Sequence, residues 1–247
     1  MSIELTRRGG CVALGFSRGD GKNALDAAFV EELKDAFEQA VAMQGVRAVA
    51  LRSAADGYFC VGMDLDALRQ AREQDATPSR RAIETYASLL RVIAGAPVLT
   101  LALVEGLAVG GGVDLAAACD LTVATQSASF SIAQLRKGIF PLTTSALLIP
   151  KIGRGAFLLW ALSGQYWSAQ RARANGLVEL VLEVTEADPW LTRFGKTLDD
   201  ADGETFLAGI DLIRRQERPE LQRRIDLAEP FLARNCSRRG ALLEELR

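Results

Sequence analysis

The stretch from Pro97 to Asp120 narrows the choice of folds, because it joins a strand to a helix through a run of glycines. Its apolar segment Val98–Val104 has the length and flanks of a buried strand. The glycines Gly110–Gly112 then lead into a segment of good helix propensity that begins at Val113. This order predicts an α/β unit whose helix N-terminus offers free backbone N–H groups to a negative charge. Tight packing of the helix on the sheet explains the same glycines equally well.

Strands alternate with helices over most of the chain, and helical patterns alone follow near its end. A polar, charged segment at Gln70–Arg81 predicts an exposed connection. The predicted helix breaks in the late region are all prolines or glycines: Pro189, Gly203, Pro219 and Gly240. This distribution favours an α/β fold with a mostly parallel sheet over residues 1–185, followed by a C-terminal helical region over residues 186–247.

Composition excludes several classes of partner. The chain has 247 residues and a net charge of −2, so it shows no signature of nucleic-acid or membrane binding. No apolar run reaches the roughly 18 residues of a membrane span, and the N-terminal stretch lacks the apolar centre of a signal peptide. The four cysteines match no disulfide or zinc spacing, so we expect no metal site and a location in the reducing cytoplasm.

The chain contains no histidine. This excludes Ser-His-Asp and Cys-His catalysis, and also zinc sites and acid–base chemistry that depend on histidine. Proton transfer in this protein must therefore use a carboxylate, a phenol, an amine or a thiol.

Several segments, taken together and in order, resemble the crotonase family, which is also called the enoyl-CoA hydratase/isomerase family. Asn23–Leu25 resembles the first CoA-facing loop of that family, and Phe59–Leu65 resembles its first oxyanion segment. Gly106 with Gly110–Leu115 resembles the second oxyanion segment. The match continues in the family's register at later positions: Phe130, Gln134, Gly138, Pro141, Ser168 and Gly176. The resemblance covers nearly the whole chain.

The resemblance implies a crotonase-like ββα spiral core with a C-terminal helical region that forms a trimer or a dimer of trimers. Apolar residues late in the chain agree with such an assembly: Trp190, Phe194, Phe206 and Phe231. It also implies an acyl thioester as substrate, carried by coenzyme A or by the phosphopantetheine arm of a carrier protein, with no resident cofactor. The residues that it assigns to substrate or CoA contacts are Asn23, Ala24, Leu25, Gly62, Asp64, Leu65, Tyr86 and Gly110.

The catalytic residues implied by the resemblance are Met63, Gly111, Asp114 and Gln134. Family members hold the thioester carbonyl oxygen on two backbone N–H groups, which by position belong to Met63 and Gly111. Each such donor is worth about 2.7–4 kcal/mol when an enolate develops. Typical hydratases of the family carry glutamates at the positions of Asp114 and Gln134, and the amide here cannot titrate. Asp114 is therefore expected to be the sole carboxylate acid–base group.

The sequence leaves three interpretations open. The first is hydratase or isomerase chemistry through an enolate, with Asp114 as the acid–base group. The second is a polyketide-type dehydratase or decarboxylase, because decarboxylation depends more on the oxyanion donors than on a general base. The third is a non-catalytic subunit that binds a thioester, in which Asp114 only stabilises its helix and Tyr86 is a core aromatic residue. Burial raises the pKa of Asp114 and the helix dipole lowers it, and the sequence does not decide between them.

Overall fold

The computed structural model describes residues 2–64 and 76–237 of the chain. Its strands are Ser2–Arg8 (β1), Cys11–Ser17 (β2), Ala48–Ser53 (β3), Tyr58–Cys60 (β4), Leu99–Val104 (β5), Leu107–Val109 (β6), Leu121–Thr125 (β7), Ser129–Ser131 (β8), Trp167–Ser168 (β9) and Leu180–Leu182 (β10). Its α-helices are Ala27–Ala42 (α1), Ala76–Ala94 (α2), Gly111–Ala118 (α3), Leu142–Ile152 (α4), Arg154–Ser163 (α5), Ala169–Ala174 (α6), Ala187–Asp200 (α7) and Gly203–Ser237 (α8). Short 3-10 helices lie at Ala133–Lys137 and Val184–Glu186.

The larger sheet has six strands in the order β1-β2-β3-β5-β7-β10. The first two form an antiparallel hairpin, and every other neighbouring pair is parallel. Strand β5 lies inside this sheet and is buried along its whole length, as its uninterrupted apolar sequence predicts. The predicted α/β fold with a mostly parallel sheet is confirmed.

A second, smaller sheet has the strand order β4-β6-β8-β9 and positions the candidate site. The short apolar segment before Gly110 forms β6, which the sequence does not reveal because three residues are too few to show a period. Strands β4 and β6 are parallel neighbours, so their C-terminal ends lie at one edge of the sheet. The segments that contain Gly62 and Gly110 follow these two ends, and the topology thus brings the two predicted oxyanion segments together.

Helix α3 begins against strand β4. A Cβ atom at Gly112 would lie 2.0 Å from the carbonyl oxygen of Cys60, so no side chain fits at this point of contact. All eight residues of α3 are buried, Asp114 among them. Tight packing and a free helix N-terminus therefore both explain the glycine run.

Two predicted helix boundaries are wrong, and both involve proline. Helix α2 begins at Ala76, inside the segment predicted as a connection, because Pro78 falls in the first turn, where a missing N–H costs nothing. Helix α8 continues through Pro219, where we predicted a break, and it packs against α2 and α4 on the way. Pro189 falls in the first turn of α7, and Gly203 begins α8 as expected. Gly240 lies outside the described residues.

The late helices cover the core of their own chain. Helix α7 packs on β1 and β2, and its buried Leu191 and Leu198 join the alanine- and leucine-rich outer face of the large sheet. Trp190, Phe194 and Phe206 pack against this same cluster. These aromatic residues are therefore used within the chain, which removes the reason for assigning them to a subunit interface. The side chain of Phe231 lies outside the described set, and the division at residue 185 stays a prediction.

Candidate active site

The backbone around Met63 is held in a fixed direction by the loop that contains Leu25. Leu25 N donates to Gly62 O at 2.8 Å, and Asp64 N donates to Leu25 O at 2.8 Å, so Leu25 and Met63 form a parallel bridge. Successive peptide groups of an extended segment point in opposite directions, so the N–H of Met63 points away from Leu25. Within the described ranges this N–H has no hydrogen-bond partner.

Gly62 lies against the first residue of helix α3. Its φ is +81°, and a Cβ atom there would lie 2.7 Å from the backbone nitrogen of Gly111. The N–H of Gly111 opens the helix, and among the residues described no acceptor bonds to it. Two unpaired N–H groups, those of Met63 and Gly111, thus flank the contact at Gly62.

A buried carboxylate stands one helical turn from these donors. Asp114 is 3% exposed, and its Oδ2 accepts a hydrogen bond from Tyr86 Oη at 2.7 Å. Its Oδ1 is buried without a hydrogen-bond partner in the described part of the chain. Burial raises the pKa of Asp114 to about 6, although the hydroxyls of Thr144 and Tyr86 favour the charged form. Burial is thus the stronger influence, and the group titrates close to neutral pH.

Tyr86 lies on helix α2 and is 2% exposed. Burial, with the nearby charge of Asp114, raises its pKa well above 10, so the phenol stays protonated and acts as a donor. Its hydroxyl oxygen lies 3.0 Å from the position that a Cβ atom on Gly111 would occupy. The structure therefore joins Tyr86 to the oxyanion segment and to the acid–base candidate, whereas the resemblance assigned it to substrate contacts.

Gln134, from the 3-10 helix Ala133–Lys137, reaches the same place. Its Nε2 donates to Thr144 Oγ1 at 3.2 Å and lies 3.1 Å from a Cβ position on Gly110. Its Oε1 is buried and has no hydrogen-bond partner in the described ranges. Gln134 is thus held by Thr144, a residue that the sequence did not single out. The one signal for it in the sequence is a pair of threonines in the first turn of helix α4, which is mostly apolar.

Asn23 has a structural role that differs from its predicted contact with CoA. It is fully buried with a φ of +55°, and its Nδ2 donates to Ser53 Oγ at 2.8 Å and to Phe59 O at 3.0 Å. Its Oδ1 accepts from Arg18 N at 2.7 Å. Because these polar atoms bond to other parts of the chain, the side chain fastens the loop to β3 and β4, and the contact of Asn23 with CoA stays a prediction.

Arg18 organises the remaining residues of this loop. Its guanidinium donates to Ala24 O at 2.7 Å and pairs with Asp64 at 3.2 Å. It also pairs with Asp26, the N-cap of helix α1, at 2.8 Å. Asp64 therefore supports the bridge at Met63 through an ion pair, while Leu65 lies outside the described residues.

Cys60 supports the oxyanion segment and does not supply a nucleophile. Its Sγ accepts from Gly62 N at 3.3 Å, and its thiol donates to Asn23 O at 3.1 Å. Burial raises the pKa of this thiol to about 12, so it stays neutral. In the described ranges, no three His, Cys, Asp or Glu side chains are grouped to hold a metal ion.

The sequence of the chain matches a known protein family. The sequence model of the Enoyl-CoA hydratase/isomerase family matches residues 6–222. The chain belongs to the enoyl-CoA hydratase/isomerase family. The family membership implied by the resemblance of several segments is confirmed.

Two mouse proteins illustrate the relatives. Mitochondrial methylglutaconyl-CoA hydratase from Mus musculus is 34% identical over 175 residues, which cover 70% of this chain and 55% of that protein. Mitochondrial enoyl-CoA hydratase domain-containing protein 2 from Mus musculus is 32% identical over 211 residues, covering 78% of this chain and 70% of that protein. The chain spans about half the length of the methylglutaconyl-CoA hydratases that it matches.

Solved structures of the family share the fold. The crystal structure of an enoyl-CoA hydratase from Bacillus halodurans gives a TM-score of 0.88 at 22% identity, covering 95% of this chain and 94% of that chain. A Bacillus subtilis protein described as a polyketide biosynthesis enoyl-CoA hydratase gives 0.84 at 21% identity, covering 97% and 93%. At these identities the likeness shows the fold, and it confirms the predicted crotonase-like architecture. None of the helices in the described ranges is both long and apolar enough to cross a membrane.

Proposed function

We propose that this family member is an enzyme acting on an acyl thioester, with the backbone N–H groups of Met63 and Gly111 as the oxyanion donors and Asp114 as the acid–base group. The main support is one juxtaposition: two unpaired N–H groups flank Gly62, and a buried carboxylate with a free Oδ1 stands one helical turn away. Donors aimed at a developing oxyanion contribute about 2.7–4 kcal/mol each. The names of the mitochondrial relatives, which include CoA hydratases, favour the same substrate class.

The proposed chemistry begins with removal of the proton next to the thioester carbonyl. Asp114 Oδ1 takes this proton, and the electron pair moves onto the carbonyl oxygen, which the two N–H groups stabilise. From a 3-enoyl thioester, return of the proton to the γ-carbon gives the 2-enoyl isomer. From a 3-hydroxyacyl thioester, the enolate expels the hydroxyl group, which leaves as water with that proton. The acyl group is carried by coenzyme A or by a phosphopantetheine arm.

Gln134 favours a second candidate within the same class. An amide at this position cannot exchange protons, so reactions that need two carboxylates are expected to be slow. Of the polyketide-type reactions, decarboxylation depends mainly on the oxyanion donors and therefore tolerates this change better. The structural similarity to the Bacillus subtilis protein concerns the fold and is compatible with both candidates.

A panel of thioesters tests the proposal. The 3-enoyl, 2-enoyl, 3-hydroxyacyl and malonyl-type acyl groups are offered on coenzyme A and on a carrier protein, to the native protein and to Asp114→Asn. We expect turnover of at least one proton-transfer substrate by the native protein and a loss of about 10²–10⁴-fold in the variant. Decarboxylation that survives in Asp114→Asn supports the second candidate, and a folded native protein that turns over no thioester contradicts both.

We also propose a homotrimer or a dimer of trimers, in the cytoplasm as the cysteine usage predicts. Helix α5 and the loop after it present apolar side chains that are 40–69% exposed: Leu158, Leu159, Leu162 and Tyr166. Such a contiguous apolar surface is typical of an interface between subunits. Sedimentation at micromolar concentration is expected to give the mass of three or six chains, and a monomer contradicts the proposal.

A further inference from the structure

A cavity of about 560 Å³ lies between helix α8 and the C-terminal ends of helices α2, α3 and α4. Its wall includes Ala94 from the end of α2, Lys151 from the end of α4 and Arg214 from α8. The oxyanion candidate is at the other end of α3, about 10 Å away along the axis at 1.5 Å per residue. The cavity is therefore separate from the candidate active site, and its volume is typical of a small-molecule site.

Arg214 is a buried cation in this wall, 5% exposed, and it forms an ion pair with Asp120. Its Nε donates to Asp120 Oδ1 at 3.2 Å, and its Nη2 donates to Asp120 Oδ2 and to Thr100 Oγ1. Because the guanidinium is planar, bonding through Nε and Nη2 leaves Nη1 on the side away from Asp120. Nη1 is buried, and no acceptor in the described part of the chain bonds to it. A buried donor of this kind is costly unless an acceptor reaches it.

Lys151 is a second cation at the same point. Its Nζ donates to Cys119 O at 3.1 Å and to Asp120 O at 3.3 Å, and these bonds use two of its three N–H donors. Lys151 and Arg214 both contact Asp120, so the two cationic groups lie close to each other. Over residues 2–64 and 76–237, Lys151 pairs with no carboxylate and Arg214 pairs only with Asp120. Two cations thus share one carboxylate, which leaves an excess of positive charge.

The other carboxylates of the wall, Glu217 and Glu220, do not cancel this excess. Glu220 accepts hydrogen bonds from Arg223 Nη2 at 2.8 Å and from Arg224 Nε at 3.0 Å, so two guanidinium groups already compensate its charge. Glu217 is exposed, and solvent therefore screens its charge. The buried part of the cavity wall, beside Arg214, carries the net positive charge and matches a ligand with a single negative charge.

Apolar side chains form much of the remaining wall: Ala94, Leu147, Pro150, Ile213 and Leu221. A ligand that suits this cavity therefore has an anionic head and an apolar body. A carboxylate has two oxygens, which can accept from Arg214 Nη1 and from the third N–H of Lys151 at the same time. Hydrogen bonds between a cation and a carboxylate are about twice as strong as those between neutral groups.

We propose that this cavity binds a small organic carboxylate with an apolar chain, whose head is held by Arg214 Nη1 and Lys151 Nζ. The chain of the ligand packs against the apolar wall, with Leu147 and Leu221 on either side of it. This site goes beyond the proposed thioester chemistry, and binding to it requires no turnover. Octanoate is a suitable probe because it has the head and the chain and nothing else.

Three variants test the contacts of the head and the space for the chain. Lys151→Met removes one cation, and Arg214→Lys keeps a charge for Asp120 but removes Nη1. Ala94→Leu fills part of the cavity and leaves both cations in place. Lys196→Met, at an exposed position on α7, is the matched control for loss of a lysine. Circular dichroism with thermal unfolding verifies each fold, and if Arg214→Lys does not fold, Lys151→Met and Ala94→Leu decide the outcome.

The measurement is isothermal titration calorimetry with octanoate, octanol and octylamine at neutral pH. The native protein is expected to bind octanoate with a Kd of about 1 mM or lower. We expect octanol to bind at least about tenfold more weakly and octylamine not to bind, because the first lacks the charge and the second has the wrong sign. Lys151→Met, Arg214→Lys and Ala94→Leu should each weaken octanoate binding about tenfold or more, and Lys196→Met should leave the Kd unchanged.

A second readout locates the bound chain. In methyl NMR spectra, octanoate is expected to shift the signals of Leu147 and Leu221, while Gly111→Pro, which alters the proposed thioester site, should leave the Kd unchanged. Loss of binding in Gly111→Pro would place octanoate in the thioester site and overturn the inference. Equal binding of octanol and octanoate, or an unchanged Kd in the folded cavity variants, overturns it as well. No binding of octanoate by the native protein would mean that water alone satisfies Arg214 Nη1, and this also contradicts the proposal.

Discussion

The two halves of the candidate site are built from different chemical groups. The proposed oxyanion half is backbone, since the groups assigned to it at Met63 and Gly111 are N–H groups. The acid–base half is made of side chains that come from helices α2, α3 and α4 and from the 3-10 helix: Tyr86, Asp114, Thr144 and Gln134. In the first half, close backbone contacts leave no room for a side chain at Gly62. In the second half, the chemistry depends on which side chains are present.

This difference explains how much each half can vary. A Cβ atom at Gly62 would lie 2.7 Å from the nitrogen of Gly111, so steric exclusion requires glycine there. Position 63 has no such requirement, because the proposed donor at Met63 is its backbone N–H and not its side chain. Asp114 and Gln134, by contrast, are held by hydrogen bonds between side chains, from Tyr86 to Asp114 and from Gln134 to Thr144. Exchanging one of these side chains alters the proton chemistry without disturbing the backbone donors. One fold can thus keep a thioester site and change its reaction.

The largest expected effect comes from removing a backbone donor, with Gly111→Pro compared against Gly111→Ala. Both variants add a Cβ atom, which meets Tyr86 Oη at 3.0 Å, but only proline removes the N–H. Proline is compatible with the first position of a helix, so the fold should persist. We expect kcat with the best thioester substrate to be about 10²–10³-fold lower in Gly111→Pro than in Gly111→Ala.

The alanine variant is the control for crowding at this position, and circular dichroism with thermal unfolding verifies the fold of both proteins. Equal activity of the two folded variants would show that the N–H of Gly111 does not bind the carbonyl oxygen. A loss shared by both would instead assign the effect to contact with Tyr86 and Gly62.

A smaller effect is expected on the side-chain half, from Tyr86→Phe. The phenol donates to Asp114 Oδ2 at 2.7 Å and favours the carboxylate, so its loss should raise the pKa of Asp114 above about 6. Hydrogen bonds to charged groups are worth about 1.5–3 kcal/mol, which corresponds to about one to two pH units. The acid limb of kcat/KM is expected to move upward by that amount, with roughly a tenfold or greater loss at pH 6 and recovery at higher pH.

Tyr166→Phe serves as the matched control, because Tyr166 is 63% exposed and lies outside the site. Its profile should coincide with that of the native protein. An acid limb that stays in place in Tyr86→Phe would mean that the hydrogen bond to Asp114 has no influence on turnover.

The two halves of the site also differ in how well their residues can be predicted from the sequence. The spacing of Gly62 and Gly110–Gly112 can be recognised in the sequence, because a positive φ or a close backbone contact requires glycine at these positions. The parallel sheet was likewise predictable, because β5 is an uninterrupted apolar run. Thr144 was not, since nothing local distinguishes a buried threonine that accepts a hydrogen bond from Gln134 from one that fills space. The function of Thr144 follows only from its contact with Gln134 in the folded chain.

Two other residues have tertiary contacts that the sequence does not show. Asn23 matches a family motif, but its side chain is consumed by Ser53 and Phe59, which lie 30 and 36 residues away in the sequence. Trp190 and Phe194 suggested an uncovered surface, but they pack on the chain's own outer sheet face. In each case the residue type indicated that the side chain makes a contact. The sequence did not identify the contacting residue, because tertiary structure determines it.

The smallest change expected is a gain, and it concerns Gln134→Glu. Hydration of a 2-enoyl thioester needs a water that is activated at the β-carbon and a proton delivered to the α-carbon, and two carboxylates can divide this work. The native amide keeps one acceptor, Oε1, but stores no proton. The substitution adds an exchangeable group beside Thr144, although repulsion between two buried carboxylates will raise their apparent pKa values and limit the gain. We therefore expect hydration to rise severalfold, measured by loss of enoyl absorbance and by uptake of oxygen-18 from labelled water, while isomerisation changes little.

Gln165→Glu, which adds the same charge at an exposed position, should leave both rates unchanged. Fast hydration by the native protein that the glutamate substitution reduces would show that Gln134 does not take the place of the second acid.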